Sequence, residues 1–138
     1  MSADGPVRLE HDGPLAVVTL DAPPLNLFDQ AMMDGLQSAV EELSAAPPRG
    51  VLIRAEGRVV SGGVDVHRFV GVTPSEGAEL WRSLLATIHR VEELPCPVVF
   101  AAHALCLTAA FELALACDLL VAAESARFGL VEIVVGLT

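Results

Sequence analysis

Pro97 to Glu132, PVVFAAHALCLTAAFELALACDLLVAAESARFGLVE, constrains the fold of this chain more than any other stretch. It opens with the unbroken apolar run Val98–Ala102. A short irregular segment follows, then Thr108–Asp118, dense in helix formers. A second apolar run, Leu119–Ala122, comes directly after. The pattern predicts strand, helix, strand, and unbroken apolar runs suit strands covered on both faces. Two carboxylates, Glu112 and Glu132, stand in this apolar company. A carboxylate there is costly unless it is paired, hydrogen-bonded or protonated, so both are candidates for chemistry.

The rest of the chain extends the pattern. Val7–Glu10 and Leu15–Leu20 read as strands joined by the turn residues His11-Asp12-Gly13-Pro14, a hairpin. Ala22-Pro23-Pro24 stops the second strand. Asn26 or Asp29 can cap a helix with Met32, Leu36, Val40 and Leu43 on one face. Val51–Ile53 is a short buried strand, and Glu56–Asp65 is a loop whose Gly62-Gly63 lets the backbone bend sharply or approach a ligand. Thr73-Pro74-Ser75-Glu76 has the form of a capping box with proline at the first helical position. Behind it, Leu80, Leu84, Ile88 and Val91 share a face. The order ββαβαβαβ, with crossovers longer than ten residues, predicts an α/β domain with parallel pairing.

Composition narrows the function. With 138 residues the chain forms one domain, and a net charge of −10 argues against nucleic acid as a partner. Its eight basic residues are all arginine, which excludes Schiff-base catalysis by lysine and a standard P-loop. Cys96, Cys106 and Cys117 have no CxxC spacing, so reduced thiols in a cytoplasmic protein are the simplest reading. Met1–Pro6 has neither a basic nor an apolar section, which argues against a signal peptide. Val98–Ala123 is long and apolar, but Glu112 and Asp118 lie inside it. An Asp at a membrane helix centre costs about 2.5–3.5 kcal/mol, so burial in an α/β core is favoured over a membrane span. Mean hydropathy is +0.56, a value expected where much surface is covered by partner subunits or by structure not in the chain.

Four segments carry a resemblance to a known family. Leu15–Asn26 resembles the first strand and Asn-containing turn of crotonase-fold proteins, the enoyl-CoA hydratase/isomerase family. Val60–Asp65, VSGGVD, resembles that family's F-x-A-G-x-D loop. Pro97–Asp118 resembles its P-x-I-A-A-x-x-G-x-x-x-G-G-G-x-E-L-x-x-x-C-D segment, and Arg127–Glu132 resembles F-G-x-P-E. The order and spacing match those of the family's N-terminal half.

The resemblance implies a spiral of ββα units with mainly parallel pairing, one core domain over residues 1–138 lacking the family's C-terminal helices, and assembly as a homotrimer or hexamer. It implies an acyl-CoA substrate, with coenzyme A part of the substrate rather than a separate cofactor. By position, the backbone N–H groups of Gly62 and Ala109 would hold the thioester oxygen, and Glu112 and Glu132 would hold the water added across the 2,3 double bond. Isomerases of the family typically keep only the later glutamate, so the pair favours hydration. Glu112 is expected as the base holding water and Glu132 as the proton donor to carbon. Isomerisation, thioester hydrolysis and acyl-CoA binding without turnover are the alternatives.

The chemistry is coherent on its own terms. Hydration builds negative charge on the carbonyl oxygen, which aimed N–H donors stabilise. Two carboxyls in different environments can divide proton removal and delivery. The departures are Thr108-Ala109-Ala110 in place of three glycines, Val60 in place of an aromatic, His103-Ala104 in place of Asn-Gly, and Val131 in place of proline. Thr108 is expected to cap the helix. Gly63 and Asp65 are possible substrate-loop residues, Asp65 more readily as a cap. Asp65 and His67 at alternate positions supply two ligands, too few for a metal site.

Overall fold

The computed structural model describes residues 5–136. Residues 1–4 and 137–138 lie outside them, and so do most of the segment weighed as a leader and the final residues of the expected domain. Val7–Asp12 (β1) and Leu15–Leu20 (β2) form the expected antiparallel hairpin. Then follow the helix Gln30–Ala45 (α1), the strand Gly50–Ala55 (β3), the helix Pro74–Glu92 (α2) and the strand Val98–Ala102 (β4). Leu105–Leu107 (β5), Ala109–Leu115 (α3), Leu119–Ala122 (β6) and Arg127–Gly129 (β7) complete the order. The main sheet runs β1-β2-β3-β4-β6, with every pair after the hairpin parallel. β5 and β7 pair in parallel as a small second sheet.

Local chemistry explains most boundaries. Asp29, not Asn26, caps α1: its carboxylate accepts the Met32 N–H at 2.8 Å. Met32, Leu36, Val40 and Leu43 are buried along the predicted face. The capping box at α2 is present, with Thr73 and Glu76 each accepting the other's backbone N–H. Leu84, Ile88 and Val91 are buried behind it. α1 and α2 cover one face of the sheet, meeting Val18, Leu20, Ile53, Val98 and Phe100 in a single core.

Two expectations about the organising stretch need correction. β6 is not covered on both faces: all four of its residues are exposed, and it is the edge strand, paired with β4 on one side. The helix after residue 108 is shorter than predicted, seven residues from Ala109. Asp118 lies beyond it and caps the start of β4 instead, accepting the Val98 N–H at 2.7 Å. Among the described residues, no helix is long and apolar enough to cross a membrane.

Candidate active site

The first part of the loop between β3 and α2, residues 56–63, is pinned by buried polar side chains. Asn26 is 2% exposed and sits in the left-handed region, φ 47°. Its side-chain oxygen accepts the Ala22 N–H at 2.6 Å, and its amide nitrogen donates to the carbonyls of Glu56, Val59 and Val60. Ser61, fully buried, donates to the Asn26 carbonyl at 2.7 Å and accepts the Gly63 N–H at 2.9 Å. The Val60 and Ser61 N–H groups both donate to the Leu105 carbonyl, which lashes the loop to β5. Residues far apart in sequence thereby hold Gly62 and Gly63 in a fixed place.

Thr108 closes the site from the other side. Its backbone is strained for a residue with a side chain, φ 48° and ψ −119°. It does not cap α3, contrary to the sequence expectation: its hydroxyl accepts the Val64 N–H at 3.1 Å, across to the loop. The turn at Thr108 points the hydroxyl away from α3's own amides. Gly63 makes this possible, since it has no Cβ and sits at φ +99°. Among the described residues the Ala109 N–H makes no hydrogen bond, and Ala109 is fully buried. Gly62 differs: its N–H donates to the Leu25 carbonyl at 2.8 Å. The two amides singled out in sequence are therefore not equivalent.

A cavity of about 360 Å³ opens here, lined by Gly62, Val64, Val66, Thr108, Val131, Glu132 and Val134. Apart from Thr108 and Glu132 its lining side chains are apolar, the common character of a small-molecule pocket with a few placed polar groups. Glu132 starts the 3-10 turn Glu132–Val135. β7 leads into that turn and is held against α3 by Phe111 and Phe128, ring centroids 5.0 Å apart. Glu112, in the first turn of α3, does not line the cavity, and neither do Ala109, Gly63 and Asp65. Its Oε2 is buried with no hydrogen-bond partner. Burial pushes the Glu112 carboxyl above its ordinary value of 4.5, and the negative charge of Glu132 pushes it further. The charge of Glu132 is thus felt at the Glu112 carboxyl, although only Glu132 lines the cavity.

Asp65 caps the 3-10 turn Val66–Phe69: its carboxylate accepts the His67 N–H at 3.1 Å and meets the His67 ring at 2.9 Å. The His67 contact holds the Asp65 carboxyl below its ordinary value. No cluster of three His, Cys, Asp or Glu side chains able to hold a metal occurs among the described residues. Sequence reasoning missed the role of Thr108, whose only signal was a threonine where three glycines would stand.

A mainly parallel sheet with a small strand pair beside an acidic, apolar-walled cavity defines an α/β protein of the crotonase fold. The chain matches the enoyl-CoA hydratase/isomerase family over residues 10–138 and belongs to it. It is 33% identical over 137 residues to a Bacillus subtilis (strain 168) protein named "Probable enoyl-CoA hydratase", covering 95% of this chain and 52% of that one. It is 36% identical over 131 residues to cyclohexa-1,5-dienecarbonyl-CoA hydratase of Thauera aromatica, covering 94% and 50%. The solved enoyl-CoA hydratase of Mycobacterium smegmatis superposes with a TM-score of 0.92 at 26% identity, covering 97% of this chain and 54% of that one. The chain spans about half the length of the curated relatives it matches.

Proposed function

We propose that this chain carries the acid–base and carbonyl-binding part of an enoyl-CoA hydratase-type site, one that adds water across the 2,3 double bond of an acyl-CoA thioester. The observation that carries the reading is the coupled pair: Glu112 with an unpartnered buried oxygen, and Glu132 on the wall of an apolar cavity. In this assignment Glu112, with its unpartnered buried Oε2, is the base that takes a proton from water. Glu132, on the cavity wall, is the partner that in its acid form delivers a proton to the α-carbon. The free N–H of Ala109 is one donor for the carbonyl oxygen as charge develops there. The relatives named as hydratases support the same class of reaction. Coenzyme A enters as part of the substrate, and homotrimer or hexamer assembly belongs to the same proposal.

A direct assay tests it. Purified chain is mixed with crotonyl-CoA and the loss of the conjugated enone absorbance is followed. Turnover that disappears in both Glu112→Ala and Glu132→Ala supports hydration. Isomerase or thioesterase activity would show instead as a shifted double bond or free thiol. One observation favours a second reading, acyl-CoA binding without turnover: the Gly62 N–H is engaged by the Leu25 carbonyl at 2.8 Å. Binding of crotonyl-CoA with the enone left intact would select that reading.

A further inference from the structure

Resting on the acyl-thioester reading above, we propose that the Thr108 hydroxyl donates a hydrogen bond directly to the thioester carbonyl oxygen, standing where a second loop amide would be expected. The loop amides have partners already. Gly62 N–H donates to the Leu25 carbonyl at 2.8 Å, Gly63 N–H to the Ser61 hydroxyl at 2.9 Å, and Val64 N–H to Thr108 itself at 3.1 Å. A ligand at this wall needs another donor.

Thr108 supplies one. It lines the same cavity as Gly62 and Glu132. A hydroxyl has one proton and two acceptor sites. One acceptor site receives the Val64 N–H, and among the described residues the proton goes to no acceptor. Accepting a bond also polarises the O–H, which strengthens it as a donor. The hydroxyl is held in place before any ligand arrives, clasped between the Val64 N–H and the bare Cα of Gly63, where an ideal Cβ would lie 2.1 Å from it. A donor fixed in advance is what stabilises developing charge best. The backbone of Thr108 sits at φ 48°, a conformation that glycine would adopt without strain. Strain of this kind persists where the side chain has a task. The hydroxyl keeps its proton throughout; it strengthens its bond as the carbonyl oxygen gains charge and relaxes when product forms.

The test compares the wild-type chain with Thr108→Ser, Thr108→Val and Thr108→Gly, using two readouts. The first is kcat and KM on crotonyl-CoA. The second is the absorption band of bound cinnamoyl-CoA, which moves to longer wavelength when its carbonyl oxygen is hydrogen-bonded and reads the contact even without turnover. Serine is expected to keep most of the band shift, with kcat lowered a few-fold. Valine and glycine are expected to lose most of the shift and about a hundredfold in kcat, with little change in KM. Glycine guards against misfolding, since it relieves the strained backbone. A glycine variant with wild-type kcat and an undiminished band shift would overturn the proposal and leave the hydroxyl as a clasp only. A wild-type chain that neither shifts the cinnamoyl-CoA band nor turns over crotonyl-CoA would overturn the acyl-thioester reading and this inference with it.

Discussion

The Thr108 hydroxyl occupies the space that a side chain on Gly63 would need: an ideal Cβ on Gly63 would lie 2.1 Å from Thr108 Oγ1. Gly63 also sits at φ +99°, where an L side chain is strained. Gly63→Ala is therefore expected to destabilise the fold by on the order of 3 kcal/mol. Adding Thr108→Gly removes the clash but not the strain at residue 63. The double variant should regain about 1–2 kcal/mol, a coupling that chemical denaturation of the four proteins would measure. Strictly additive losses would show that the two residues do not compete for one space.

Stability should depend on the ionisation of Glu112. Its proton affinity is higher in the folded chain than in the unfolded one. Its favourable contribution is therefore complete below about 4.5, the ordinary value, and is lost as pH rises through the folded value. Glu112→Gln should raise the melting temperature near neutral pH, where the folded chain otherwise carries a charge among apolar neighbours. The gain should shrink to nothing at low pH. Thermal melts across pH 3 to 8, a range of roughly that width around the carboxylate region, decide it. A gain independent of pH would place its cause elsewhere.

The coupling of the two glutamates can be read separately. Glu132→Gln removes a negative charge that pushes Glu112 up, so Glu112 should titrate at lower pH in that variant. Carbon-detected NMR of labelled glutamate follows this without any turnover. In the hydratase assay, Glu112→Gln and Glu132→Gln should each cost about 10²–10⁴ in kcat. An unmoved Glu112 titration would mean that the carboxylates do not share a site.

Asn26→Ala should loosen the loop that carries Gly62 and Gly63. The side chain bonds four backbone groups while nearly fully buried, so its removal orphans several of them at once. A loss of about 3 kcal/mol is expected by denaturation. Hydrogen exchange should rise from Val59 to Val64 before it rises in α1.

Ala109→Gly is expected to lower stability without raising turnover. Ala109 is fully buried in the core, so its methyl packs against protein at the start of α3 while its N–H stays unpaired among the described residues. Losing it leaves a small void and a more flexible helix start, about 1–2 kcal/mol together. A gain in kcat on crotonyl-CoA would show that the methyl narrows the acyl slot after all.

What was legible in the sequence was local. Asp29 and the Thr73–Glu76 capping box act within one helical turn, and the α1 and α2 faces repeat at helical spacing, so their patterns survive reading along the chain. The same holds for the existence of the β1–β2 hairpin, but its turn is only Gly13-Pro14, with His11 and Asp12 paired in β1 rather than in the turn. The contacts that build the site are long-range. Thr108 meets Val64 from 44 residues away, and Asn26 meets Val60 from 34. Thr108 in isolation looks like a helix cap, because nothing nearby shows that its hydroxyl will be turned toward another loop. β5 and β7 are three residues each and become strands only through each other. The apolar content of Leu119–Ala122 gave its strand character but could not say what lies beside it.

β6 runs along the rim of the sheet with its outer backbone groups unpaired among the described residues, and Leu119, Leu120 and Val121 stand 60%, 39% and 59% exposed. A sticky border of this kind invites strand-to-strand docking between molecules. How this polypeptide behaves in a tube will thus follow its concentration as closely as its temperature, and a charged residue placed at Val121 would be the simplest way to keep it dispersed.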